Sequence, residues 1–411
     1  MIGARLSVMM FLQFFIWGCW FVTLGTFLGA NFQASGAQTG LAFSTQSWGA
    51  IIAPFIIGLI ADRYFNAERI LAVLHLVGAL LMYQMFRAPD FVRFYPYVLA
   101  YMIAYMPTLA LVNSISFRQL TDPSRQFSFV RVWGTVGWIV AGLVISLVFH
   151  WDSQESVAQG ALRNTFLMGA VMSLLLAIFS FTLPATPPTA AGTGGFSLRV
   201  ALGLDALKLL RDRNFLVFFI SSVLICIPLA FYYQNASPFL TEIGTTNATG
   251  KLTIGQMSEV VFMLLLPVFL LRFGIKKTLL LGMLAWAVRY AFFAYGGQDN
   301  VSALLIIGIA LHGICYDFFF VSGQIYTDSK AGEHYRSAAQ GMITLATYGV
   351  GMLVGFSAAG AISDRFNANG QHDWFQIWMY PAAFAVVVMV LFALLFKNEA
   401  ITYENRQSRK D

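Results

Sequence analysis

Charged residues are scarce in this sequence of 411 residues. Asp, Glu, Lys and Arg together make up 11% of it, whereas hydrophobic residues make up 58% and the mean hydropathy is +0.70. Soluble domains contain about 25% charged residues. The composition therefore excludes an ordinary soluble protein and predicts an all-α membrane protein that crosses the bilayer many times.

Cysteines are few, and the common catalytic motifs are absent. Cys19, Cys226 and Cys315 each lie in an apolar run, and their spacing fits neither a disulfide framework nor a zinc or haem site. The chain has no phosphate-binding G-x-x-x-x-G-K-[ST] motif, and it has neither H-E-x-x-H nor G-x-S-x-G. We therefore expect neither an ATP-driven motor nor an enzyme, and neither a cofactor nor a metal site.

Apolar runs of roughly 18 to 25 residues, the length that crosses a bilayer as a helix, recur along the whole chain. Pro, Gly, Asn and charged residues separate them. The pattern predicts about twelve spans, at residues 6–28, 41–60, 69–86, 95–117, 128–150, 164–183, 214–240, 254–271, 277–296, 302–323, 338–361 and 375–396.

Lys and Arg predict the orientation, because they concentrate in cytoplasmic loops. With the N-terminus inside, 18 of the 25 Lys and Arg residues fall in cytoplasmic segments, five in external loops and two, Arg131 and Arg289, in spans. Both termini are therefore predicted to be cytoplasmic. Since the positive charges are spread over many short loops, the net charge of +6 does not indicate a nucleic-acid partner.

One connection differs from the others. Residues 184–213 combine a Pro/Gly/Thr-rich stretch with VALGLDALKLLRDR, which is typical of a short amphipathic helix on the inner surface. This linker divides the chain into two six-helix halves, 1–183 and 214–396, followed by a tail at 397–411. Two such halves that rock about a central site describe the major facilitator fold. GLIADRYFNAER and LLRFGIKKTLL occupy equivalent places in the halves, whereas the similar GAISDRF at 360–366 is external and is interpreted as a coincidence.

Two acidic residues, Glu259 and Asp317, lie within predicted spans, where charged groups normally face a cavity or a partner. Asp317 stands in the otherwise apolar segment HGICYDFFFVSGQIY. It could form a structural ion pair with Arg289 or Arg131. We favour a proton carrier or substrate anchor, because burial and a nearby arginine shift the pKa of a carboxyl group in opposite directions and allow it to exchange a proton.

Other polar residues share helix faces. Gln256 and Glu259 are three residues apart, and Arg131, Thr135 and Trp138 follow one another at i, i+4 and i+7. Further candidates for substrate binding are Tyr316, Gln234, Asn235, His312, Asn113 and Gln13. Interfacial snorkelling by Arg131 and simple packing or hydrogen bonding by the others remain open. Aromatic faces and neutral amides with few charges suit a neutral, polar, flat ligand.

Several segments resemble the bacterial nucleoside:proton symporter family, a branch of the major facilitator superfamily. They are FLQFFIWGCWFVTLGTFL, AYMPTLALVNSISF, RVWGTVGW, GQMSEVVFML, LLRFGIKK, CYDFFFVSG and SAAQGM, and they occur in order over nearly the whole chain. The resemblance implies a permease of the bacterial inner membrane that imports nucleosides together with protons by alternating access. We expect it to act as a monomer, with the proton gradient as its driving force.

The resemblance also implies roles for individual residues. It places Arg131 and Thr135 near the nucleoside, and Trp138 falls where the family has an aromatic residue. Gln256 and Glu259 match a polar pair of the eighth span that is expected to hold the ribose or the base, and Tyr316 and Asp317 match the aromatic–acid pair of the tenth span. Asp317 becomes the leading candidate for proton coupling and Glu259 the second. Two features depart from the family: Gln234 and Asn235 are adjacent instead of three apart, and His312 replaces a usual Tyr.

Two other function classes remain as alternatives. The first is a facilitator for another small polar solute, such as a sugar or a modified base, or an exporter of drugs. The second is a membrane receptor or enzyme, which would need a soluble domain that the short loops do not supply.

Overall fold

The computed structural model describes residues 2–56, 65–121, 123–187, 204–298 and 302–399, and nearly all of them are helical. The sequence expectation of an all-α membrane protein is confirmed. Within these ranges the extended structure consists of a short antiparallel ribbon, β1 (Asn367–Ala368) with β2 (Gln371–His372), in which Asn367 pairs with His372.

The N-terminal half comprises the described residues up to 187. Its helices are α1 (Ile2–Phe21), α2 (Leu24–Phe32), α3 (Gly36–Ile56), α4 (Ala67–Arg87), α5 (Phe91–Gln119), α6 (Pro123–Leu143), α7 (Gln154–Ala158) and α8 (Asn164–Ser180). A π-helical segment, Val144–Val148, extends α6, and a 3-10 turn, Ala161–Arg163, precedes α8. Helix α1 packs on α6 and α8, α4 packs on α5 and α8, and α3 packs on α5.

The C-terminal half comprises the described residues from 204 onward. After a 3-10 helix, Leu204–Arg211, its helices are α9 (Arg213–Glu242), α10 (Ala248–Gln298), α11 (Ser302–Ala310), α12 (His312–Tyr316), α13 (Ser322–Thr344), α14 (Met352–Arg365) and α15 (Trp374–Leu395). The π-helical segments Asp317–Val321 and Leu345–Gly351 join α12 to α13 and α13 to α14. Helix α9 packs on α14 and α15, and α10 packs on α11, α12 and α15.

Ten helical stretches of the described chain are long and apolar enough to cross a membrane. One of them is α10, which Gly274 divides into two arms because its backbone has φ 73° and ψ 173°, a conformation that glycine adopts without strain. Helix α3 is more polar but has 21 residues and packs between α5 and α14. Counting α3 and both arms of α10 gives the twelve crossings that the sequence predicts.

Three predicted segments lie partly outside the described residues. These are 58–64 of GLIADRYFNAER, 188–203 of the linker and the tail beyond 399. In the described part of the linker, the predicted amphipathic segment forms the 3-10 helix Leu204–Arg211.

Each half has an aromatic core. In the N-terminal half the rings of Trp20 and Tyr101 meet edge to face, with centroids 5.5 Å apart. In the C-terminal half Tyr290 and Trp378 stack with centroids 5.4 Å apart and an interplanar angle of 9°. Such pairs contribute about 0.5–1.5 kcal/mol each beyond the area they bury. Aromatic packing therefore stabilises each half internally.

The two halves are joined by hydrogen bonds at one end of the bundle, opposite the described chain termini. There Thr26 Oγ1 lies 2.6 Å from Ser237 Oγ. The N–H groups of Gly36 and Ala37 donate to the Asp364 carboxylate at 2.5 and 2.8 Å. We call this region the closed end.

Candidate functional site

A cavity lies between the halves and has about 610 Å³ of empty space, counting the part that opens to solvent. Small-molecule sites typically measure about 300–1,000 Å³. The N-terminal half contributes Phe14, Trp17, Phe21, Arg131, Thr135 and Trp138, and the C-terminal half contributes Tyr233, Gln256, Glu259, His312, Tyr316 and Tyr348. The lining is therefore mostly aromatic, with one cationic and one acidic residue on opposite walls.

The wall of the N-terminal half is built by α1 and α6. Because Arg131, Thr135 and Trp138 share one face of α6, all three reach the cavity, as their spacing predicts. The Trp138 ring meets Trp17 of α1 edge to face, with centroids 5.5 Å apart. The Arg131 guanidinium lies 4.1 Å above the centre of the Phe14 ring. This contact holds the cation at the cavity wall.

The opposite wall is built by α9, α10, α12 and the π-helical segment 345–351. Gln256 and Glu259 lie on one face of α10 and line the cavity together. Tyr316 of α12 lines it beside Tyr348, and their hydroxyl oxygens are 2.6 Å apart. No ion pair joins Glu259 to Arg131 in the described part of the chain, so both charges are available to a ligand between the walls.

Asp317 is fully buried and does not line this cavity. It begins the π-helical segment that follows α12, and such wide turns are frequent at functional sites. Neither of its carboxylate oxygens has a hydrogen-bond partner among the described residues. The alternative of an ion pair with Arg289 or Arg131 is therefore not realised in this conformation.

Two candidate residues, Gln234 and Asn235, lie at the closed end and not on the cavity wall. With its amide nitrogen 3.2 Å from Phe356 O and its oxygen 3.2 Å from Gly360 N, Gln234 bonds to the backbone of α14. Asn235 accepts a hydrogen bond from Ser363 at 3.3 Å. The two amides are adjacent in sequence, and both bond to α14 within the C-terminal half.

Gln13 and Asn113 are also absent from the cavity lining. Gln13 is buried behind it, where its side chain bonds to Thr108 at 2.7 Å and to His75 Nε2 at 2.8 Å. This network ties α1 to α4 and α5. Asn113 is partly buried on α5.

Some lining residues were not singled out from the sequence. Phe14 and Phe21 lie in the same aromatic-rich span as Trp17, and only their shared helix face could have pointed to them. Tyr348 lies in a glycine-rich span, where a single aromatic residue gives little signal. His312, in contrast, was a candidate and lines the cavity, with Arg289 Nη1 2.8 Å from its Nδ1.

Two helical halves, a central cavity between them and opposite charges on its walls define a secondary transporter of the major facilitator type. A model of the family described as nucleoside H+ symporter matches residues 1–400. The chain belongs to the nucleoside H+ symporter family, and the sequence-based prediction of a proton-coupled nucleoside transporter, not an enzyme, is confirmed.

Similar proteins agree with this assignment. The chain is 45% identical to YegT of Escherichia coli (strain K12), covering 96% of this chain and 94% of that protein. It is 36% identical to the xanthosine permease of the same organism, covering 96% of each. The crystal structure of the nucleoside transporter NupG matches with a TM-score of 0.85 at 30% identity, covering 97% of this chain and all of that one.

Proposed function

We propose that this chain imports nucleosides with protons through the cavity between its halves, and that Arg131 and Glu259 bind the substrate from opposite walls. The observation that carries this proposal is that the two charges line one cavity without pairing with each other. A nucleoside between them is polar, flat and neutral. Aromatic rings can stack on its base, and a carboxylate can accept hydrogen bonds from its hydroxyl groups.

In the proposed binding mode, Glu259 and Gln256 act as a pair. The carboxylate accepts from ribose hydroxyls, and the amide three residues earlier both donates and accepts. Arg131, steadied by the Phe14 ring, supplies donors from the other half. Because each half then contributes a charged contact, substrate binding favours conformations in which the halves approach each other.

We further propose that Asp317 carries the coupled proton and that Glu259 is the second candidate. An ionised carboxylate with no partner in a buried site is very unfavourable, so Asp317 is neutral, hence protonated, in this conformation. Release of the proton then requires a rearrangement that brings water or a cation to Asp317.

The remaining proposals concern the oligomeric state, the membrane location, the orientation and the driving force of the transporter. We propose a monomer in the bacterial inner membrane, with both termini in the cytoplasm, driven by the proton gradient without a bound cofactor. The closed end then faces outward, and the cavity is in communication with the cytoplasmic side.

Uptake of radiolabelled uridine, adenosine and xanthosine into cells that lack their own permeases tests the function. We expect accumulation that a protonophore abolishes. The Asp317→Asn variant should still exchange labelled for unlabelled nucleoside but should no longer concentrate it. Glu259→Gln should instead raise the half-saturation concentration by about tenfold. If Asp317→Asn still concentrates nucleoside against its gradient, the coupling assignment is wrong.

A further inference from the structure

Arg289 is a buried cation beside the cavity that the proposed mechanism does not use. Its side chain is 0% exposed, and it forms no ion pair with any acid in the described chain. Its guanidinium carbon lies 3.6 Å from the centre of the Tyr232 ring, and Nη1 lies 2.8 Å from His312 Nδ1. Its Nε and Nη2 atoms have no hydrogen-bond partner among the described residues.

A packing role alone does not account for Arg289. A buried cation without a carboxylate partner is destabilising, and an apolar side chain of similar volume would fill the same space without that penalty. The directed contact that Arg289 makes to a cavity residue is the bond to His312. The consequence of this contact lies in the chemistry of His312.

The bond fixes the tautomer of His312. A guanidinium group only donates hydrogen bonds, so Nδ1 of His312 must be the acceptor and carries no hydrogen. The ring is then neutral with its hydrogen on Nε2. The rings of Tyr232 and Tyr316, with centroids 5.2 and 5.8 Å from that of His312, restrict its rotation. His312 lines the cavity, so its free edge offers a donor and no acceptor.

We propose that Arg289 is a positioning residue that holds His312 as a donor for a keto oxygen of the substrate base, so that oxo bases are preferred over amino bases. This inference rests on the proposed transport of nucleosides. Ribose hydroxyls both donate and accept, whereas a keto oxygen only accepts and an exocyclic amine donates. A donor-only group therefore discriminates between a keto oxygen and an amine at one position of the base.

The test compares matched nucleosides that differ by this exchange, inosine with adenosine and uridine with cytidine. In the wild type, the half-saturation concentration for uptake should be about tenfold lower for the oxo member of at least one pair, the effect of one hydrogen bond. In Arg289→Met the ring can adopt the other tautomer and accept from an amine. The preference should then fall to within about twofold.

Controls separate positioning from a general defect. A merely structural loss would raise both half-saturation concentrations and leave their ratio unchanged. Arg289→Lys, which still donates, should keep the preference, and His312→Phe should abolish it. Arg272→Met removes a guanidinium that lies 5.8 Å from the Phe273 ring on an exposed surface, and it should leave the ratio as in the wild type.

The outcomes are distinct. An unchanged ratio in Arg289→Met, or in Arg289→Leu if the first variant does not reach the membrane, overturns the inference. A wild-type preference for amino bases also overturns it. If no nucleoside is taken up, the proposed function itself fails. If nucleosides are taken up by Arg289→Met with wild-type selectivity, only the role of Arg289 fails.

Discussion

Two carboxylates hold the closed end together, and their removal should open it. Asp364 of α14 accepts hydrogen bonds from the N–H groups of Gly36 and Ala37, the first residues of α3 in the other half. Asp152 of the N-terminal half accepts from Thr249 N at 2.9 Å, near the start of α10. In each case an acid from one half caps the N-terminus of a helix in the other, where the helix dipole favours negative charge.

The free energy that each substitution removes from the closed end depends on the hydrogen bonds and charge that asparagine retains. Asp364→Asn keeps one acceptor oxygen but loses the charge and one hydrogen bond, and the site is exposed, so about 1 kcal/mol is lost. Asp152 is 5% exposed and also accepts from Ser146 Oγ at 2.5 Å, so the loss there should be about 2 kcal/mol. If the two add, about 3 kcal/mol shifts the closed-to-open ratio by roughly a hundredfold.

Pulsed electron spin resonance distances measure this shift directly. Spin labels on cysteines introduced at Ala158 and Thr246 would lie on exposed positions of the two halves at the closed end. The three native cysteines are buried and should not compete for the label. We expect one short distance in the wild type and a second, longer distance in Asp152→Asn/Asp364→Asn, with each single variant between them.

Asp90→Asn is the matched control for this experiment. Asp90 caps α5 by accepting from Arg93 N at 2.8 Å, but both residues belong to the N-terminal half. Its substitution should weaken a helix cap of similar strength without altering the distance between the halves. The reasoning is refuted if the double variant keeps the wild-type distance distribution, or if Asp90→Asn lengthens the distance as much.

Two further predictions concern the close approach of the halves and the opposite end of the bundle. Gly360→Ala should populate the longer distance with both acids intact, because its Cβ would collide with a backbone oxygen of α3, whereas Gly29→Ala, with no atom within 4 Å, should not. Partial burial raises the pKa of Asp212, but the Phe215 N–H and the Lys330 ammonium lower it more, so the net shift is downward. Asp212→Asn should therefore lower the melting temperature at neutral pH, and the difference from the wild type should vanish as the pH falls below the pKa of Asp212.

The spans and much of the cavity could be predicted because they depend on local patterns. A run of apolar residues long enough to cross the bilayer is visible in any window of the sequence. The helical repeat places Arg131, Thr135 and Trp138 on one face, and it does the same for Gln256 and Glu259. Since a charged or amide group on such a face avoids lipid, the cavity was the natural place for it.

The structure differs from the expectation where the position of a side chain depends on its partner on another helix. Gln234 and Asn235 are polar, lie within a span and directly follow Tyr233, which lines the cavity, but their own side chains bond to α14. Similarly, the sequence offered Arg289 as a partner for Asp317, whereas the fold turns its guanidinium toward His312. The helical repeat of the sequence predicts neither contact, because both depend on how separate helices pack.

The motif GAISDRF also makes a contact between helices that the sequence does not predict. From the sequence its likeness to GLIADRYF was interpreted as a coincidence, yet its acid, Asp364, bonds across the halves. Asp152 follows the fifth span of one half and Asp364 ends the fifth span of the other, and each meets the start of the second span opposite. The two contacts are thus related by the internal repeat of the fold. A rocking motion about that repeat must break both at once, which is why we expect their effects on the closed end to add.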